Sequence, residues 1–279
     1  MVLYAVTPSG PHELTLPEDH DDATRVFDVL PRGVYEALRT YDHVRFVGLE
    51  EHLQRAVRSL RLLGLDTELD LVAVRSCLHQ AVSAAPWEDS RVRFDVLSGP
   101  AEVYGSSERV LIQVLPLVLP PPEAYRDGVR VPLTTRVRRD RPEAKSAEWV
   151  VQRRAAYPTP GDGYDPILVD DEGRLLEGVM SNLFLVRDGV LHTAPRHGVL
   201  PGITRAIVLD LAGTLELRRV EEAVHRDELE TVQEAFFSTS VRGVLPVVEI
   251  EGVELGAGTP GPTTRRMMAA YDAYCSREA

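Results

Sequence analysis

Three consecutive prolines, Pro120, Pro121 and Pro122, follow the apolar run Val110 to Leu119 and precede the turn-like Tyr125-Arg126-Asp127-Gly128. Proline donates no backbone hydrogen bond and disfavours the helical conformation in the residue before it. No helix or central strand can therefore run through this point. The chain divides into 1–118 and 129–279, with 119–128 as a linker. A length of 279 residues suits two such domains. Helical and strand patterns mix on both sides without strict βαβ alternation, so an α+β class is expected for the whole.

The clearest element is Leu49 to Leu63. Leu49, Leu53, Ala56, Val57, Leu60 and Leu63 fall on one helical face, and Gly64 is placed to end it. On that helix Arg55 flanks the apolar stripe and Arg58 points to solvent. A second helix is expected over Leu69 to Ala84. Gly33 to Tyr41 and Val44 to Val47 suggest strands about an Asp42-His43 turn, with a helix as the other reading of the first. Arg91 to Leu97 alternates as a strand should, and Val110 to Leu115 is a further strand. His12 to Asp22 reads as a loop or edge.

In the second half, Val129 to Thr134 is strand-like and Ala144 to Ala156 helical, with the basic run Arg136 to Arg141 between them. Two hairpins are expected: Pro166 to Asp170 with Leu175 to Glu177, and Asn182 to Val186 with Val190 to His192. A helix over Ile203 to Leu211, a short one over Asp227 to Gln233, a buried strand over Ala235 to Ser238 and a closing helix over Thr263 to Cys275 complete the pattern.

The net charge of −12 argues against a nucleic-acid or anionic-membrane partner, because phosphate backbones need clustered basic charge. It leaves room for a small anionic ligand. Cys77 and Cys275 give neither a disulfide framework nor zinc spacing, which suits a reducing, cytoplasmic setting. No basic segment followed by an apolar stretch marks a signal peptide at the start. Val110 to Leu119 contains Gln113 and Pro116 and is too short to span a bilayer.

Lys145 is the only lysine; the other 30 basic residues are arginine. A codon bias explains the excess of arginine. Such a bias cannot replace a lysine whose amine must act as a nucleophile, because guanidinium stays protonated and forms no Schiff base. Lys145 is therefore a candidate imine former, although a neutral leftover is equally compatible with composition alone.

Pro201-Gly202-Ile203-Thr204-Arg205 places small residues and a hydroxyl at a helix start, where unpaired amides suit a phosphate. An ordinary capped helix is the plainer reading. Ser238-Thr239-Ser240 is a polar loop that can offer hydroxyls and amides to an anion, or serve only as a turn. Glu177 ends an apolar strand and can act as acceptor for a protonated ring nitrogen, or simply face solvent. No metal is expected, since the histidines are scattered and no H-E-x-x-H or C-x-x-C occurs. Asp21-Asp22 and Asp170-Asp171 read as turns rather than Mg²⁺ ligands. Gly161-Asp162-Gly163 is not a dinucleotide fingerprint.

Taken in order, five segments resemble the fold-type IV (class IV) pyridoxal-phosphate enzymes, which include branched-chain and D-amino-acid aminotransferases and aminodeoxychorismate lyases. They are Gly33 to Tyr41 with His52-Leu53-Gln54-Arg55; Lys145; Leu176-Glu177-Gly178 with Ser181 to Phe184; Leu200 to Arg205; and Glu234 to Ser240. The resemblance implies a smaller N-terminal α/β domain and a larger C-terminal domain with a barrel-like β core. It implies Lys145 as the imine-forming lysine on pyridoxal 5′-phosphate, Glu177 on the pyridine nitrogen and Arg55 on the phosphate. Ile203, Thr204, Thr239 and Ser240 would form the remaining phosphate cups, and Tyr35 and Arg93 the substrate side. The implied activity is amino transfer from an amino acid to a 2-oxo acid, in a homodimer. A lyase releasing pyruvate from aminodeoxychorismate is the alternative.

Three departures bear on the substrate. Val179-Met180 stand where the family usually has small polar residues. Val150 stands where branched-chain enzymes usually carry tyrosine. Pro100-Ala101-Glu102-Val103 replaces the arginine-x-histidine trap of D-amino-acid enzymes.

Overall fold

The computed structural model describes residues 1–17, 25–157 and 164–278. Asp21-Asp22, Gly161 to Gly163 and the end of the His12–Asp22 segment lie outside them. The chain forms two compact units: residues 1–118 with 144–151 and 278–279, and residues 119–143 with 152–277.

The first unit is built on a six-stranded antiparallel sheet. Its elements are β1 (Val2–Thr7), β2 (Gly10–Glu13), β3 (Gly33–Tyr41), β4 (Arg45–Phe46), α1 (Leu49–Leu63), α2 (Leu71–Ser83), β5 (Ser90–Leu97) and β6 (Val110–Pro116). The sheet order is β2-β1-β6-β5-β3-β4. Asp42 and His43 turn β3 into β4 with positive φ of 48° and 72°, the handedness that a tight hairpin needs. α1 runs over the expected residues and ends at Gly64, whose φ is 67°. Its Leu53, Ala56 and Leu60 enter a core with Leu38, Phe94, Ile112 and Leu78. Each such leucine contributes about 1.5–3 kcal/mol by leaving water.

Gly33 opens β3 where β5 comes closest. A Cβ there would lie 1.9 Å from the Val96 carbonyl oxygen. Backbone cannot yield as a side chain can, so Gly33→Ala should destabilise the protein by at least about 3 kcal/mol. Denaturant unfolding checks this, and an unchanged midpoint would contradict it.

The expected helix over Ala144 to Ala156 is shorter in the structure. Only Glu148–Gln152 (α4) is α-helical, followed by a 3₁₀ turn at Arg153–Ala156. Residues 145–147 pair instead with the start of β3. Tyr35 N donates to the Lys145 carbonyl at 3.1 Å, Ala147 N to the Gly33 carbonyl at 2.9 Å, and Val34 bridges Ser146. A long-range partner for these amides displaces the local helix.

The second unit carries α3 (Pro122–Arg126), β7 (Val129–Val131), β8 (Leu133–Thr134), β9 (Ile167–Val169), β10 (Leu175–Gly178), β11 (Asn182–Arg187) and β12 (Val190–His192). There follow α5 (Ile203–Thr214), β13 (Arg218–Val220), β14 (Glu234–Thr239), β15 (Gly243–Ile250), β16 (Val253–Glu254) and α6 (Pro262–Glu278). Its ten-stranded sheet has the path β16-β15-β14-β11-β10-β9-β8, with β12 beside β11, β13 beside β12 and β7 beside β15. The expected strand Val129–Thr134 breaks at Pro132 into β7, which pairs with β15, and β8, which pairs with β9. One short stretch of chain thus joins both ends of the path, and the sheet is nearly closed and barrel-like. Phe237, Leu245, Leu183, Ile167 and Leu175 fill its core. The architecture is α+β, as expected.

Candidate active site

In the first unit, β3 and α1 bury a charged cluster. Glu36 and His52 are fully buried and Arg55 nearly so. Arg55 Nε donates to Glu36 Oε1 at 2.9 Å and Nη2 to Oε2 at 2.5 Å, while His52 Nδ1 lies 2.7 Å from Oε2. Burial pushes the Glu36 carboxyl up, but the Arg55 charge and the two partners' hydrogen bonds outweigh it and hold it at about 2. Burial drives His52 below its ordinary value against the pull of Glu36. Its Nε2 has no hydrogen-bond partner among the described residues, so a second proton there would go unsatisfied. Glu36 therefore offsets the charge that Arg55 carries.

This cluster sets a pH response. Below pH 6.5 the unfolded chain takes up a proton that folded His52 resists, so stability falls as pH drops through that window, by up to about 1.4 kcal/mol per unit. Glu36 acts in the same direction lower down: its contribution is complete above 4.5 and disappears as pH falls to about 2. His52→Gln should flatten the decline of Tm between about pH 6.5 and pH 5. An unchanged slope would contradict the assignment. His192, also lowered by burial, leaves a residual slope in either protein.

Lys145 is half-buried. Its backbone N donates to Ser59 Oγ on α1 at 3.1 Å, and its carbonyl accepts from Tyr35 N on β3. Its Nζ stands 4.6 Å from the centre of the Tyr35 ring. Arg93 on β5 is buried and bidentate to Asp95. Three of the expected residues, Tyr35, Arg93 and Lys145, are thus neighbours within one unit.

In the second unit, β10 ends at Glu177–Gly178 and β11 begins at Asn182, with Glu177 opposite Asn182. Glu177 is buried, not exposed at a strand end. Its Oε2 accepts from Asn182 Nδ2 and from Leu200 N, each at 3.1 Å, and Arg139 Nε lies 3.0 Å from Oε1. Two hydrogen bonds and an ion pair hold this carboxylate in place. Asp165, fully buried, holds the connecting turn: it accepts from Met180 N at 3.0 Å and from Ser181 Oγ at 2.5 Å.

Gly202 caps α5 without a side-chain acceptor, which leaves the Ile203 and Thr204 amides at the open end of the helix. A Cβ at Gly202 would lie 2.0 Å from Asn182 Oδ1, so glycine here lets Asn182 reach both Glu177 and the Leu200 carbonyl. Thr204 Oγ1 sits 3.3 Å from Ser240 Oγ, in the turn between β14 and β15. Thr239 Oγ1 accepts from Arg242 N at 2.9 Å. Ile203, Thr204, Thr239 and Ser240 therefore form one cluster of amides and hydroxyls, a donor set matched to a phosphate.

Arg139, Asp95, Glu36 and Asp165 were not singled out by the sequence. The signals were present for two of them. A carboxylate ending a buried strand needs a counter-cation, and the run Arg136 to Arg141 supplies one. Arg93 and Asp95 at i and i+2 of an alternating strand must share a face. Among the described residues no three His, Cys, Asp or Glu side chains cluster as a metal site, and no helix is long and apolar enough to cross a membrane.

The model of the class IV amino-transferase family matches residues 33–250. The chain is 30% identical over 248 residues to D-alanine aminotransferase of Bacillus licheniformis, covering 85% of this chain and 86% of that one. It is 26% identical over 253 residues to the branched-chain-amino-acid aminotransferase of Pseudomonas aeruginosa, covering 86% and 82%. The crystal structure of the branched-chain aminotransferase of Thermoproteus uzoniensis with norvaline superposes with a TM-score of 0.80 at 25% identity, over 100% of this chain and 95% of that one. The resemblance carried by the five segments therefore extends across the fold, and the chain belongs to the class IV aminotransferases.

Proposed function

We propose that this aminotransferase works with pyridoxal 5′-phosphate and uses Lys145 to move an amino group from an amino acid to a 2-oxo acid. The carrying observation is that the only side-chain amine in 279 residues is pinned by its backbone to β3 and α1 and rests over the Tyr35 ring. The bound cofactor would supply an aldehyde that condenses with amines and a protonated ring that accepts the electron pair released at Cα. Glu177, held by Asn182, Leu200 and Arg139, is the proposed anion for the ring nitrogen. Ile203, Thr204, Thr239 and Ser240 are the proposed phosphate cup, and Arg55 adds its charge. Lys145 would be the amine for that aldehyde and, as a free amine, the base placed to hold and return a proton. Tyr35 is proposed to line the substrate side, with Arg93 packed against its ring.

The relatives are named for D-alanine and for branched-chain amino acids, which supports an amino acid as donor here. No observation favours the lyase. A homodimer and a cytoplasmic setting are further proposals; sedimentation would test the first, and the free, buried Cys77 and Cys275 support the second. The direct test loads the protein with pyridoxal phosphate and adds single enantiomers of amino acids. The visible absorbance should pass to that of the pyridoxamine form and return with a 2-oxo acid. Retention of the starting spectrum with every donor would overturn the reading.

A further inference from the structure

Strand pairing sets Tyr35 of β3 opposite Asp95 of β5 and Ala37 opposite Arg93. Residues two apart share a face, so Tyr35, Arg93 and Asp95 stand together on one side of the sheet. Arg93 Nε and Nη2 each reach one Asp95 oxygen at 2.6 Å. That fork fixes the guanidinium plane, whose central carbon lies 3.9 Å from the centre of the Phe27 ring and 4.7 Å from that of Tyr35. The same Tyr35 ring receives Lys145 Nζ at 4.6 Å.

One ring thus serves two cations. Two uncompensated positive charges at one ring would repel each other, and Asp95 removes that conflict by balancing Arg93. A buried ion pair of this kind is a poor way to gain stability, since apolar residues of equal volume usually do as well. Its value here is geometric. Asp95 orients Arg93, Arg93 packs the Tyr35 ring, and the ring presents its face to the lysine amine.

We propose that the buried Arg93–Asp95 pair is a positioning device that holds the Tyr35 ring as the seat of the Lys145 amine. Arg93 is then a positioning residue, not a trap for a substrate carboxylate, because Asp95 balances its charge. The proposal rests on Lys145 being the working amine. Its test is made first without cofactor, so the two can fail separately.

A single lysine makes the test direct. The full chain labelled with [ε-¹³C]lysine yields one lysine signal, whose attached protons feel the ring current of Tyr35. In the parent protein these protons should resonate upfield of their unfolded position. Tyr35→Phe should keep that displacement and Tyr35→Leu should remove it. Arg93→Met with Asp95→Leu strands no buried charge, and should lose most of the displacement although Tyr35 and Lys145 are intact. With pyridoxal phosphate and an amino acid, the double variant should lose about a hundredfold in kcat, with KM within about threefold of the parent. A folded double variant with the parental lysine signal would overturn the proposal. So would a displacement that survives Tyr35→Leu, or a rise in KM at unchanged kcat, which marks a substrate ligand.

Discussion

Lys145→Arg is expected to lower amino transfer by at least about four orders of magnitude. The substitution keeps the positive charge, most of the length and the ability to stack on the Tyr35 ring. It removes only the capacity to lose a proton and attack a carbonyl. Because every other basic residue in the sequence is already arginine, no second side-chain amine can take over. The proposed phosphate cup of Ile203, Thr204, Thr239 and Ser240 does not include Lys145, so the variant should still take up cofactor without forming the covalent link. Single-turnover absorbance with an amino donor measures the loss. A rate within tenfold of the parent would place the reactive amine elsewhere.

Glu177→Gln is the second large effect, with a fall in kcat of about two to three orders of magnitude. Glutamine can still accept from Asn182 and Leu200, but it offers no negative charge to a protonated ring nitrogen. The same change removes the negative charge beside Arg139, whose side chain is only 7% exposed. Breaking a buried ion pair on one side costs about 3–5 kcal/mol, so Tm should fall as well. The double variant Glu177→Gln with Arg139→Gln separates the two consequences: stability should return and activity should not. Recovery of activity together with stability would show that Glu177 serves the fold alone.

Elements governed by local rules were legible before the structure. α1 is set by an apolar stripe and by Gly64, and both its ends fall where the pattern puts them. The Asp42-His43 turn and the Asp188-Gly189 turn follow from residues that tolerate positive φ. Elements governed by distant partners were not. Residues 145–147 leave their expected helix because β3 takes up their backbone groups. β15 carries no clear strand signal because Pro246 interrupts its ladder donors, and its pairing with β14 and β7 depends on the closing of the barrel. The candidate site divides in the same way. Residue types at motif positions pointed to Lys145, Glu177, Thr204 and Ser240. Strand alternation already puts Asp95 beside Arg93, and the basic run hints at a cation for Glu177; what depends on the fold is that Glu36 meets Arg55 and that Arg139 is the arginine that meets Glu177. Each pair decides how much charge its arginine or carboxylate can offer a ligand.

One covalent link, between Lys145 and the cofactor aldehyde, underlies the proposed chemistry. Protein incubated with pyridoxal phosphate, reduced with borohydride and digested should carry the phosphopyridoxyl mass on the peptide containing Lys145, at about one equivalent per chain. A label confined to the amino terminus, or no label on a protein that has bound the cofactor, would contradict it.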